Sequence, residues 1–182
     1  SDDGITGAVT EHPLKSLEQI HSYTAPDPEF SNGIYPIDWD QIQLDIESTK
    51  HSDKVVIVGL PHGHTFLRLQ DIRGYENLIF DMVDDEPHLQ RLIEMVEAFN
   101  LRIIEKYLSC RPDIICYPED LGMQVDSMLA PEHFRKYIKP SYQRLMQPAR
   151  AAGTLIHMHS DGDIRTLVDD IIEGGVNILN LQ

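Results

Sequence analysis

Positive charge is scarce in this sequence of 182 residues. Lys and Arg together number 15, against 30 Asp and Glu, so the formal net charge is −15. A surface of that charge repels both a nucleic-acid backbone and an anionic membrane. We therefore predict that neither nucleic acid nor a lipid surface is a partner.

Cysteine and long apolar runs are also scarce. The two cysteines, Cys110 and Cys116, are too few for a disulfide framework and lack the paired spacing of a metal site. No stretch approaches the ~20 apolar residues of a membrane span. The first residues, Ser1 to Gly4, have neither the basic start nor the apolar run of a secretory signal. These absences favour a reducing, cytoplasmic setting.

The remaining sequence alternates between short apolar runs and amphipathic stretches. The runs 55–58, 113–117, 154–159 and 176–181 predict four strands, and the first, Val55 to Val58, is β-branched throughout, which is typical of a strand covered on both faces. Apolar residues recur at helical spacing in four segments, which predicts a helix in each: after Gly74, over about 84–108, over 134–153 with a kink at Pro140, and over 164–172. The order predicts parallel βαβ units.

Two parts of the chain are predicted. Residues 1–53 are polar, with two short surface helices marked by Leu14, Leu17 and Ile20 and by Trp39 to Ile46. Residues 54–182 are predicted to form part of an α/β barrel. A complete eightfold barrel takes roughly 250 residues, so this chain supplies about half of one. The open edges of its first and last strands must then be covered, and a homo-oligomer is one way to do so.

Chemistry-bearing side chains follow three of the predicted strands. They are His62 and His64 after the first, Glu119 and Asp120 after the second, and His157, His159 and Asp161 at the end of the third. Reactive groups of parallel α/β folds cluster at this carboxyl edge. For His62 and His64, however, a simple turn built on Pro61 and Gly63 is the favoured interpretation.

Strand alternation places His157 and His159 on one face. Imidazole and carboxylate oxygen both bind zinc or iron, so His159 with Asp161 is a candidate metal pair. The alternative, that these histidines line the barrel through ordinary hydrogen bonds, stays open. Glu119 and Asp120 are candidates for acid or base chemistry. Because neighbouring residues point to opposite sides, one of the two is expected to face the site, and we favour Asp120.

Several segments together resemble the uroporphyrinogen-decarboxylase superfamily. They are His64-Thr65-Phe66 with residues 69–81 (LQDIRGYENLIFD), residues 118–124 (PEDLGMQ), residues 128–153 with the pattern LAPEHFRKYIKP, residues 157–162 (HMHSDG) and residues 174–182 (GGVNILNLQ). The resemblance implies an incomplete TIM (β/α)8-type barrel. It also implies that Gln182 would face the mouth of the barrel. With the histidines at the strand ends, His62, His64 and His157, it is a candidate for binding a small-molecule substrate.

The HMHSDG segment points to one branch of the superfamily. Its methyltransferase-like members typically carry H-S-C-G, in which His and Cys bind zinc; here His159 matches the histidine and Asp161 stands in place of the cysteine. The resemblance therefore implies zinc, bound by His159 and Asp161 with a third ligand outside this chain, and methyl transfer to or from a corrinoid protein or a thiol. Two alternatives remain: a metal-free tetrapyrrole decarboxylase, and a non-catalytic barrel that binds a tetrapyrrole or corrinoid.

Overall fold

Four parallel strands form a single sheet in chain order. A computed structural model describes residues 9–182 and contains β1 (Ile57–Gly59), β2 (Ile114–Pro118), β3 (Leu155–Ser160) and β4 (Ile178–Leu181). The helices are α1 (Trp39–Lys50), α2 (Phe66–Arg73), α3 (Tyr75–Val83), α4 (Leu89–Ser109), α5 (Pro131–His133), α6 (Lys139–Ala151) and α7 (Val168–Gly174). Strands alternating with helices in one parallel sheet confirm the predicted α/β class.

One face of the sheet is buried under the helices. Ile115, Tyr117, Ile156 and Met158 have no solvent exposure, because α4 and α6 pack together over this outer face. The apolar positions of α4 lie three and four residues apart, which is why the whole helix can bury one side on the sheet.

The other face, which is the inner face of a barrel, stays open. Ile57, Leu155 and Ile178 are 57%, 46% and 38% exposed. The prediction that the first strand is covered on both faces is therefore wrong for this chain. In a closed barrel the inner face is covered by strands on the opposite side, and the described residues contain four strands in one sheet.

The N-terminal segment also departs from its prediction. Leu14, Leu17 and Ile20 were predicted on a surface helix, but all are at least 95% buried, and only one 3₁₀ turn, Leu17–His21, forms there. They belong to the same hydrophobic cluster as the helices of the barrel. The backbone of Leu14 donates to Ile72 O at 3.0 Å, which fixes the segment on α2.

Proline changes the helix before α6. Between α5 and α6 the chain makes a π-helical turn, Phe134–Ile138, and Pro140 lies in the first turn of α6. Proline offers no N–H to the carbonyl four residues earlier, and its ring would collide with that carbonyl. The predicted kink is thus a widened turn immediately before the proline.

Element ends differ from the predictions by one to five residues. The helix predicted over 84–108 begins at Leu89, and the strand predicted at 55–58 runs from Ile57 to Gly59. Helix α2 was not predicted. Within residues 9–182, no helix combines the length and apolarity needed to cross a membrane.

Candidate functional site

Three strand ends bring a carboxylate and two imidazoles together at the carboxyl edge of the sheet. His62 follows β1, Asp120 follows β2 and His159 lies near the end of β3. One donor atom from each lies within 4.8 Å of the other two. His62 Nε2 is 3.2 Å from Asp120 Oδ2, and His159 Nε2 is 4.0 Å from Asp120 Oδ1.

Backbone hydrogen bonds hold the His62 loop against β2. The N–H of Gly63 donates to Pro118 O at 3.0 Å, and Gly63 has a φ of +73°. An added Cβ there would meet Leu67 Cβ at 2.9 Å. Glycine at this position therefore lets the chain turn and leaves His62 beside Asp120.

Asp120 is oriented by the next loop. Its Oδ1 accepts the backbone N–H of Asp161 at 3.1 Å, while its Oδ2 faces His62. The backbone N–H of Glu119 donates to His159 O at 3.0 Å, so β2 and β3 stay paired up to the site. The carboxylate is thus held between the two imidazoles.

Asp161 adds a second carboxylate beside His159. Its Oδ1 lies 3.1 Å from His159 Nε2, yet this oxygen is buried and has no hydrogen-bond partner in the described part of the chain. A buried carboxylate oxygen without a donor is costly. A cation between the imidazoles and the carboxylates removes that cost, so the residues present fit a divalent metal.

The ligand grouping differs from the pair named by the resemblance. The Asp161 side chain lies beside His159 only, whereas donor atoms of His62, Asp120 and His159 all lie within 4.8 Å of one another. His62 was interpreted mainly as a turn residue. Its ring is, however, half exposed at the carboxyl edge of the sheet, which is the mouth of the barrel, and its centroid lies 6.3 Å from that of His159.

Glu119 faces away from this cluster. Its side chain is fully buried and accepts the backbone N–H groups of Thr65 and Phe66 on Oε2 and of Leu67 on Oε1, at 2.8 to 3.1 Å. Tyr142 donates its hydroxyl to Oε2 at 3.0 Å. Burial raises the pKa of Glu119 to about 7, although these hydrogen bonds lower it. Glu119 therefore caps the N-terminus of α2.

His64 also lies behind the sheet. Its side chain has no solvent exposure, and its ring packs against Tyr117 and Tyr142. Burial, followed by the nearby charges of His62 and Arg68, lowers the pKa of His64 to about 3. The structure does not bring His64 to the mouth, where a substrate-binding residue was expected.

The remaining predicted residues lie on or beside the open inner face. His157 is half buried one layer below His159, in register with Cys116 on β2 and Ile178 on β4. Gln182 is exposed, and its carbonyl oxygen accepts the N–H of Gly162 at 3.0 Å. Asn180, which the sequence did not single out, places Oδ1 2.7 Å from His159 Nδ1.

Two glycines join the loops that carry Asp120 and Asp161. A Cβ added to Gly122 would lie 2.4 Å from the carbonyl carbon of Gly162, and the reverse addition meets the same obstacle. The N–H of Gly122 donates to Asp161 O at 3.2 Å. The loops can approach this closely only because neither residue has a side chain.

We expect Gly122→Ala to force these loops apart. The clash is with backbone, so the free energy of unfolding should fall by about 1–3 kcal/mol, and metal affinity should fall with it. The control is Gly174→Ala, where nothing lies within 4 Å of the added Cβ. Chemical denaturation should show no loss for the control; equal stability of the two variants would contradict the close approach.

Comparison with known proteins identifies the family. The family model for uroporphyrinogen decarboxylase (URO-D) matches residues 2–182. The chain belongs to the uroporphyrinogen decarboxylase family. The predicted superfamily is thereby confirmed, and the TIM-barrel class with it. No curated protein sequence matches the chain.

A solved protein structure shows the same fold. It is a methyltransferase from Methanosarcina mazei, with 18% sequence identity and a TM-score of 0.71. The match covers 94% of this chain and 48% of that one, so the chain spans about half the length of its structural relative.

Proposed function

We propose that His62, Asp120 and His159 hold a divalent metal ion, and that this site serves a methyltransferase of the URO-D family. The methyl group would pass between a small substrate and a corrinoid protein or a thiol. The observation that carries the proposal is the convergence of three donor atoms from three strand ends within 4.8 Å. The likeness in fold to the Methanosarcina methyltransferase supports it.

The donor set restricts the metal. Two imidazoles and one carboxylate are ligands for zinc or iron, and both occur with open positions for a substrate. A bound ion would act as a Lewis acid on the heteroatom that gains or loses the methyl group. Asp161, beside His159, would contribute further negative charge around the ion.

The protein's own residues would shape the substrate cavity. Below the metal site the inner face presents His157, Cys116 and Ile178 in one layer and Ile57 and Leu155 in the next. We propose that the polar end of a small substrate lies at the metal and its apolar part rests on this surface. The carboxylates at the mouth disfavour a polycarboxylate, which is the substrate a tetrapyrrole decarboxylase requires.

Metal content tests the proposal first. The full-length protein, freshly purified, should contain close to one zinc or iron per chain by mass spectrometry, and His159→Ala should remove it. His51→Ala is the control, because His51 is exposed at the end of α1. Metal absent from the wild type, or unchanged in His159→Ala, would refute the site.

Activity assays distinguish the methyltransferase from the decarboxylase and the non-catalytic barrel. Methylcobalamin incubated with the metal-loaded protein and a thiol should lose its methyl group faster than without protein, and His159→Ala should abolish the gain. Release of carbon dioxide from uroporphyrinogen by metal-free protein would instead support the decarboxylase. Neither activity, together with binding of a corrinoid or tetrapyrrole, would support the non-catalytic barrel.

A further inference from the structure

Asn180 contacts Nδ1 of His159, the ring nitrogen on the other side from the one that approaches the carboxylates. Asn180 is the register partner of His159 on β4, and its Oδ1 lies 2.7 Å from His159 Nδ1. A carboxamide oxygen only accepts hydrogen bonds, so this hydrogen bond requires the tautomer with the proton on Nδ1. In a neutral imidazole the other nitrogen, Nε2, then has a free lone pair.

Two carboxylates lie close to that nitrogen. Nε2 of His159 lies 3.1 Å from Asp161 Oδ1 and 4.0 Å from Asp120 Oδ1. A lone pair and carboxylate oxygens repel one another unless a positive charge lies between them. The Asp161 oxygen has no other hydrogen-bond partner among the described residues, so the contact is not relieved from elsewhere.

We propose that Asn180 is a positioning residue of this metal site. It accepts the Nδ1 proton of His159, fixes the ring against β4 and presents Nε2 to the cation. The proposal rests on the proposed metal function. Its physical basis is general: a ligating histidine gives its second ring N–H to an oxygen acceptor, which sets both tautomer and orientation. Across β3, the register partner of His159 on the other side is Pro118, which has no side-chain acceptor.

The tautomer can be measured without any metal. We would record long-range ¹H–¹⁵N spectra of chelator-treated, ¹⁵N-histidine-labelled protein at about pH 8, where free imidazoles are neutral. His159→Gln assigns the signal. Wild type should show a protonated Nδ1 and a bare Nε2. Asn180→Asp, which keeps the acceptor, should preserve that pattern, and Asn180→Leu should shift protonation toward Nε2.

Metal affinity gives the second readout. Asn180→Leu should weaken Zn²⁺ binding by roughly 10–100-fold, the usual cost of losing such a partner, and Asn180→Asp should restore it. Leu181→Ala, on the same strand and half exposed, is the control and should bind as wild type does.

The outcomes separate the two proposals. A wild-type ring protonated on Nε2, or an Asn180→Leu variant with unchanged tautomer and affinity, would overturn the role of Asn180. If the wild-type protein shows the expected tautomer but binds no Zn²⁺, the metal function is refuted. The hydrogen bond from His159 to Asn180 would still be supported.

Discussion

Asp120→Asn should weaken Zn²⁺ binding by more than about 100-fold, whereas Asp161→Asn should weaken it by less than about tenfold. Asparagine keeps the oxygen that accepts the Asp161 N–H, so the first substitution removes mainly the negative charge between the imidazoles. The Asp161 side chain lies beside only His159 of the cluster, so its amide variant loses a neighbour rather than a ligand. Competition with a chelating dye measures both affinities.

The comparison of these two variants decides between two ligand sets. The resemblance named His159 with Asp161, and the geometry groups His159 with Asp120 and His62. A large loss in Asp161→Asn with little change in Asp120→Asn would show that the resemblance had named the right carboxylate. In the metal-free state neither variant should unfold at a lower denaturant concentration than the wild type, because both side chains are partly exposed and Asp161→Asn removes an unpaired carboxylate oxygen.

Glu119→Ala should lower the free energy of unfolding by roughly 4 kcal/mol or more. Alanine leaves three backbone N–H groups at the start of α2 and the Tyr142 hydroxyl without an acceptor, and each such buried donor costs about 1–3 kcal/mol. Glu119→Gln keeps one oxygen and should cost about 1–2 kcal/mol. Urea denaturation measures both.

The control for Glu119 is a carboxylate that caps nothing. Glu132→Ala, exposed in α5, should change stability by no more than about 0.5 kcal/mol. A Glu119→Ala variant as stable as the Glu132→Ala variant would show that the carboxylate does not hold α2 in place.

The alternation of strands and helices could be predicted because it depends on local patterns. Apolar runs marked all four strands within a few residues, and the spacing of apolar residues marked α4 and α6. Helix α2 was not predicted: it spans only eight residues, and the carboxylate that caps its N-terminus, Glu119, is more than fifty residues away. A cap supplied by a residue so far along the chain leaves no local pattern in the sequence.

The site was only partly predictable for a related reason. That His62, Asp120 and His159 share one edge of the sheet follows from strand order. Which of two adjacent acids faces that edge depends on how the chain turns after Pro118. Asp161 was predicted as a ligand because it lies two residues after His159 in the sequence. His62 and Asp120 come close to His159 only because β1, β2 and β3 pair with one another.

The direct test of the metal centre is a crystal structure of the Zn²⁺-soaked protein with diffraction data collected at the zinc absorption edge. The anomalous signal should place one ion about 2.0–2.2 Å from nitrogen atoms of His62 and His159 and an oxygen of Asp120. An ion bound by His159 and Asp161 without His62, or no ion at the carboxyl edge of the sheet, would contradict the three-residue site.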